Sequence, residues 1–128
     1  MSKILFKTPC TTWTFDSLMS CVFGIKSSDV RVYFDILKHK NSKITDIANR
    51  LNRDRSTIQR SVQNLMSAGL VKRRQINLKD GGYYYVYSAI PFEEVKKKIK
   101  ETLDIWYNQM KAWVEEIEAD DVINELRD

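Results

Sequence analysis

Histidine is nearly absent from this sequence: His39 is the only one in 128 residues. It lies among lysines near the end of an apolar-periodic segment, where a surface imidazole is the simplest reading. Cys10 and Cys21 are the only cysteines and lack C-x-x-C spacing, so no zinc-type ligand set can be assembled. No metal and no cofactor is therefore expected. A glycine-rich phosphate loop is also missing, with only four glycines in the chain. Nothing in the pattern looks catalytic, and the expectation is that the protein is not an enzyme. The two cysteines read as reduced thiols, with a disulfide or thiol sensor left open. No apolar run approaches the roughly 20 residues that a bilayer span needs, and no basic-then-apolar leader opens the chain. The expectation is a cytoplasmic protein without a membrane partner.

What is present is charge, in an uneven arrangement. Charged residues make up 30% of the chain and hydrophobic ones 43%, enough for one modest core. Through Pro91 there are 15 Lys or Arg against 6 Asp or Glu, a balance of +9. From Phe92 onward there are 6 against 11, a balance of −5. A basic body with an acidic tail suits a protein that grips a polyanion with one part and pairs with itself through another. Charge alone does not distinguish DNA from RNA or an anionic membrane.

The opening stretch, 1–14, holds Ile4, Leu5, Phe6, Pro9 and Trp13 without periodicity and is expected to have little regular structure. A short helix is predicted from about Phe15 to Phe23, with Leu18, Val22 and Phe23 inward and Gly24 as its stop. Ser27 or Ser28 then reads as the cap of a helix to about Lys40, with Val30, Tyr33, Ile36 and Leu37 inward. Two short helices follow. Thr45 is expected to cap the first, which buries Ile47, Ala48 and Leu51. Asn52-Arg53 is the turn and Asp54 the cap of the second, which buries Ile58, Val62, Leu65 and Met66 and stops at Gly69. Two strands, about Leu70 to Leu78 and Tyr83 to Ile90, flank the turn Lys79-Asp80-Gly81-Gly82. Tyr83, Tyr85 and Tyr87 share one strand face, Tyr84 and Val86 the other, and one set is expected to be core.

Pro91 blocks the strand and starts a long helix, expected over 92–120 and followed by an acidic tail, 121–128. Ile99, Leu103, Trp106, Met110, Trp113 and Ile117 recur at steps of 4 and 3, a heptad seam that Tyr107 widens. Such a helix extends roughly 43 Å. That is longer than so small a domain can cover, so Ile99, Leu103, Trp106, Tyr107, Met110, Trp113 and Ile117 are expected to meet a second copy.

The order of elements resembles the winged helix-turn-helix regulators of the MarR and TrmB-like group, and is most similar to its small archaeal members. Ile25-Lys-Ser-Ser-Asp-Val-Arg-Val-Tyr33 is similar to the opening helix of TrmB-like domains. Asp54-Arg-Ser-Thr-Ile58 resembles the start of a MarR recognition helix, and Leu65-Met-Ser-Ala-Gly-Leu-Val-Lys-Arg73 its end and the strand beyond. The match covers about Ile25 to Ile90. MarR wings carry an Asp and Arg pair in a longer loop, whereas here the tip is short. The resemblance implies a mainly α fold with a small β-hairpin wing (α+β). It would comprise an N-terminal extension and short helix (1–24), a winged helix-turn-helix (25–91) and a C-terminal dimerisation helix (92–120).

It further implies a homodimer on double-stranded DNA, whose recognition helices enter successive major grooves about 10 bp apart. The outward face of the second helix of the pair holds Arg55, Ser56, Gln59, Arg60 and Gln63, with Thr57 in its first turn. Arg matches two guanine acceptors and Gln the edge of adenine. The helix N-terminus is expected to offer backbone donors to a phosphate. Arg50 and Arg53 flank the turn and are expected on phosphates, as is Arg74 on the strand, where only Arg73 or the pair Lys72 and Arg74 can reach the duplex. Lys79 at the wing tip is expected in the adjacent minor groove. The group also accommodates small-molecule effectors near the dimer junction, but this sequence names no ligand. Two other functions keep the same surface: a chromatin-like protein that coats DNA with little sequence preference, and a winged-helix module that binds another protein.

Overall fold

A computed structural model describes residues 5–127. Ile4, expected among the apolar residues of the opening stretch, lies outside them, as does Asp128 of the expected acidic tail. The described chain divides after Val95 into two compact units.

The first unit opens where little structure was expected. Leu5–Thr8 (β1) and Thr11–Thr14 (β2) form an antiparallel hairpin that pairs Phe6 with Trp13 across it. Threonines stiff at χ1 favour extended backbone, and the Thr8 hydroxyl donates to the Thr11 carbonyl (3.1 Å) to close the tip. The tip carries Pro9 and Cys10, so neither a glycine nor an Asn-Gly pair marks it. Cys10 and Cys21 are exposed free thiols.

The chain then enters helix α1, Phe15–Phe23. Thr14 and Ser17 cap it reciprocally, each side chain accepting from the other's backbone N–H. Gly24 ends it at φ 70°, a left-handed conformation that glycine adopts without cost. Met19, not singled out by the pattern, is the fully buried residue of this helix, while Leu18, Val22 and Phe23 are half-buried.

Helix α2, Ser27–Lys38, and helix α3, Ile44–Leu51, begin in the same way. In each, an Asp in the first turn reaches back to the backbone N–H of a lysine: Asp29 to Lys26 and Asp46 to Lys43, both at 3.1 Å. The cap positions are Lys26 and Lys43, not Ser27, Ser28 or Thr45 as expected. An acid in the first turn satisfies an orphan donor and complements the helix dipole. Three residues with Asn52 at φ 55° turn the chain into helix α4, Arg55–Ser67. Gly69, at φ 77°, closes it. The buried stripes of α2, α3 and α4 meet around Val30, Tyr33, Ile36, Ile47, Ile58, Val62 and Leu65.

Val71–Asn77 (β3) and Tyr83–Ala89 (β4) pair antiparallel as the wing. The expectation that one tyrosine face would be core does not hold. Val86 and Tyr87, on opposite faces, are both buried, and Tyr83 is exposed. A third partner joins there: Ser42 exchanges two backbone hydrogen bonds with Tyr87 (2.8 and 3.2 Å) on the free edge of β4, which pairs the backbone of this buried stretch.

Helix α5, Phe92–Glu116, crosses from the first unit into the second. It ends four residues short of the expected Asp120, and a separate helix α6, Ala119–Glu125, occupies most of the expected tail. Glu115 and Glu116 gather at the C-terminal end of α5, where the dipole disfavours anions, whereas Asp120 and Asp121 fall in the first turn of α6, where it favours them. Among the described residues no helix is long and apolar enough to cross a membrane.

Tyr33 illustrates how the body is tied to its end. Its hydroxyl, buried on α2, donates to the carbonyl of Ile90 at 2.6 Å, just before α5. Burial, with the charge of Glu94, pushes the phenol up to about 12, so it stays a donor across the physiological range. Tyr33→Phe should leave that carbonyl without its donor and lower stability by about 1–3 kcal/mol in urea unfolding. An unchanged midpoint would show that this tie contributes nothing.

Candidate nucleic-acid interface

Helix α4 sorts its side chains into three sets. Ile58, Ser61, Val62 and Leu65 are buried. Ser56, Arg60, Gln63 and Ser67 form the outer face, and Arg55 and Gln59 turn toward the wing. All six of these outward residues are exposed. Arg55, Gln59, Arg60 and Gln63 make no hydrogen bond or ion pair among the described residues, so their donors and acceptors are open to a ligand.

The first turn is arranged differently from the expectation. The Asp54 carboxylate accepts from the hydroxyls of Ser56 and Thr57, both at 2.5 Å. These bonds hold the carboxyl down at about 2, the Ser56 bond contributing most. The place where a phosphate was expected to meet the helix N-terminus therefore holds an anion. Ser56 and Thr57 keep acceptor lone pairs, but their protons are engaged.

Two clefts flank the recognition face. One, of about 710 Å³, lies between the start of α2 and α4 and is lined by Lys26, Ser28, Arg60, Gln63 and Asn64, among others. Its floor is the buried Asp29, which takes a bond from Asn64 (3.3 Å) besides the one from Lys26. The other, of about 420 Å³, is lined by Lys43, Thr45, Arg55, Gln59, Arg73 and three wing tyrosines, Tyr84, Tyr85 and Tyr87. A smaller groove, of about 60 Å³, holds Arg53 together with Arg31 of α2.

The remaining expected contacts separate by their partners. Arg50 is consumed inside the molecule: its Nη2 lies 2.7 Å from both Asp35 Oδ2 and Ser42 Oγ, and its Nε bonds Asp35 at 3.0 Å. The Asp35 hydrogen bonds raise its pKa further above an already high ordinary value. Arg74 lies on the face of β3 opposite Arg73 and reaches Asn41 Oδ1 at 3.4 Å. Arg73, not Arg74, shares a cleft with Arg55 and Gln59, and its guanidinium stacks 4.1 Å from the Tyr85 ring centre. Lys79 is exposed in the five-residue loop, 78–82, that joins the paired ends of the wing. Arg31, Lys43 and Arg73 were not singled out as contacts from the sequence. Only the alternation along β3 could have flagged Arg73, by naming its set as one of two.

In the second unit, Leu103, Trp106, Tyr107, Met110, Trp113 and Ile117 are exposed, Trp113 by 62%. Ile99, expected on the same seam, is 6% exposed and already buried within the chain. Val122, Ile123 and Leu126 add further exposed apolar surface on α6. Among the described residues no group of three or more His, Cys, Asp or Glu is placed to hold a metal.

Residues 19–93 match the family model described as "Sugar-specific transcriptional regulator TrmB". A Methanocaldococcus jannaschii relative, the uncharacterized protein MJ1503, is 74% identical over 125 residues, covering 98% of this chain and 95% of its own. A possible transcriptional regulator from Methanosarcina mazei superposes with a TM-score of 0.80 at 24% identity, over 91% of this chain and 99% of that one. A MarR protein from Peptoclostridium difficile gives 0.51 at 14% identity, over 85% and 70%. The chain shares the winged-helix regulator fold of these solved structures and carries a long C-terminal helix, α5.

The Asp54 geometry gives a pH signature. A carboxyl with a folded pKa below its ordinary 3.8 stabilises the fold above that value, and the contribution is lost as pH falls toward 2. Carbon-detected NMR titration should place the Asp54 midpoint near 2, and Ser56→Ala with Thr57→Val should return it toward 3.8. A midpoint unmoved by that pair of substitutions would show that the hydroxyls do not hold the charge.

Proposed function

This chain belongs to the TrmB family of transcriptional regulators, and we propose that it acts as a homodimeric repressor that binds double-stranded DNA at specific sequences. One observation carries the proposal: the exposed face of α4 presents Arg55, Gln59, Arg60 and Gln63 with no internal partner, beside a cleft lined by three cations and no carboxylate. Side chains of these types, at one to two helical turns, are suited to base edges in a major groove. Arg53 and Lys79 supply phosphate contacts that fix register, and Ser56 contributes a remaining acceptor. Arg50 acts from behind, positioning the helix pair through Asp35 and Ser42.

Pairing of two copies is supported by the apolar stripe on α5. Large aromatic side chains left in water at heptad spacing lose their exposure when a like helix packs against them. Leu103, Trp106, Tyr107, Met110, Trp113 and Ile117 would form that seam. Two copies set recognition helices about 10 bp apart, so a pseudo-palindromic site is expected. Occupying such a site at a promoter blocks polymerase.

Fluorescence anisotropy against the chain's own upstream region and a scrambled duplex, across a salt series, tests the reading. A preference of about a thousandfold or more is expected, and Arg55→Ala or Arg60→Ala should each cost roughly 1–3 kcal/mol at the specific site only. Equal affinity for both duplexes with a steep salt slope would replace it with the coating protein, and no binding at low salt would sink it. For the dimer, sedimentation equilibrium of a Trp106→Glu Trp113→Glu variant should give the mass of one chain where the unaltered protein gives two. A single-chain mass for the unaltered protein would rule the seam out.

A further inference from the structure

The cleft on the wing side of α4 contains chemistry that base reading does not use. Its lining has three cations, Lys43, Arg55 and Arg73, the aliphatic hydroxyl of Thr45, three tyrosines, and no carboxylate. Arg55 and Gln59 point along it from the recognition helix. The other two cations come from a different place: Lys43 from the residue before α3, and Arg73 from the wing.

Both are held in an unusual way. Arg73 lies with its guanidinium 4.1 Å from the centre of the Tyr85 ring, and the Lys43 ammonium sits 4.5 Å from the centre of Tyr84. Tyr85 is itself braced edge-on by Tyr83, with ring centres 5.4 Å apart. The face of a phenol ring attracts a cation and fixes its plane, but it accepts none of the N–H hydrogens that point outward from the edge of a guanidinium. Arg73 is therefore oriented without being neutralised. Arg50, locked onto Asp35, provides the contrast within one domain. Thr45 belongs to the same arrangement. Asp46 takes the role of helix cap, which leaves the Thr45 hydroxyl free to line the cleft.

We propose that this cleft seats one backbone phosphate of the bound duplex, held by Arg73 and Thr45, while the Lys43 ammonium, drawn to Tyr84 on the opposite face of β4, stays outside the grip. It would thus be the base of the wing, and not its tip, that grips the strand flanking the bases read by Arg55 and Gln59. The inference rests on the DNA-binding reading above and adds to it a site and its ligand. A planar fork beside a hydroxyl matches the spread oxygens of a phosphodiester. Tyr85 is a positioning residue: it touches Arg73 and not the phosphate.

The test uses the full chain and a set of duplexes of its specific site, each with one phosphate replaced by an uncharged methylphosphonate. For the unaltered chain, neutralising one phosphate in each half-site should weaken binding several-fold. Arg73→Gln should bind more weakly, yet be indifferent to neutralisation at that same phosphate and still sensitive at all others. Its log–log salt slope should be shallower by about 2, one contact for each of two copies. Arg74→Gln should keep the full pattern, and Tyr85→Leu should keep the phosphate dependence with reduced affinity. Arg73→Gln that remains sensitive at every phosphate, with an unchanged slope, overturns the proposal, as does transfer of the effect to Arg74→Gln. Absence of duplex binding by the unaltered chain removes the DNA reading and this site together. That outcome is distinct from binding with unchanged phosphate sensitivity.

Discussion

Ser42 is the point on which the first unit is hung. It is 3% exposed and makes four hydrogen bonds. Its backbone pairs in both directions with Tyr87 of the wing, its hydroxyl donates to the His39 carbonyl that ends α2, and Arg50 of α3 donates to the same hydroxyl. One small residue thus ties α2 and α3 through its side chain and β4 through its backbone. The Arg50 guanidinium then closes the ring by gripping Asp35 on α2. A wing on a two-stranded hairpin is only marginally stable by itself. Here its inner edge is paired, so β4 becomes a central strand and Tyr87 can be buried.

That frame decides which cations remain available to a polyanion. The body carries many basic residues, but net charge says nothing about which of them are spent. Arg50 is spent on the frame, whereas Arg74 lends one N–H to Asn41, the residue before Ser42, and keeps its charge. Arg55 and Arg60 face outward without a partner, and Arg73 rests on a tyrosine ring that leaves its donors open. An anion at the very start of α4, Asp54, completes the division. The helix end repels phosphate and the flanks attract it, which favours a helix seated between two backbone strands over one anchored to a single phosphate at its tip.

Much of this was legible in the chain because it is local. Helices α1 to α4 follow from apolar spacing, and their ends from Gly24, Asn52, Asp54 and Gly69, residues whose conformational preferences are independent of the fold. The wing follows from alternation and the Asp80-Gly81-Gly82 turn. What escaped depends on three-dimensional closure. The hairpin at Leu5–Thr14 has no glycine or asparagine to mark its turn. Asp29 and Asp46 act as caps from inside their helices, where they look like ordinary surface acids. The side of the wing that meets α4 is set by Ser42, some thirty residues earlier in the chain, so alternation could name the two sets on β3 but not choose Arg73. The gap between α5 and α6 depends on where acidic residues sit relative to two helix ends, and an apolar stripe that runs on to Ile117 conceals it.

The exposed tryptophans of α5 have a consequence for how this protein can be watched. Trp13, Trp106 and Trp113 are the only three in the chain, and none lies in the segment from Ile25 to Ile90 that carries α2 to α4 and the wing. Indole emission moves to shorter wavelength when water is excluded from the ring. Two of the three chromophores stand where a second helix would exclude it, and the third sits on the N-terminal hairpin. If two copies pair along α5 as proposed, tryptophan emission is a label-free gauge of that pairing and is nearly blind to events at α4. The tyrosines Tyr83, Tyr84 and Tyr85 stand on the wing but Tyr107 stands on α5 beside the tryptophans, so it is tryptophan emission, excited apart from tyrosine, that is selective.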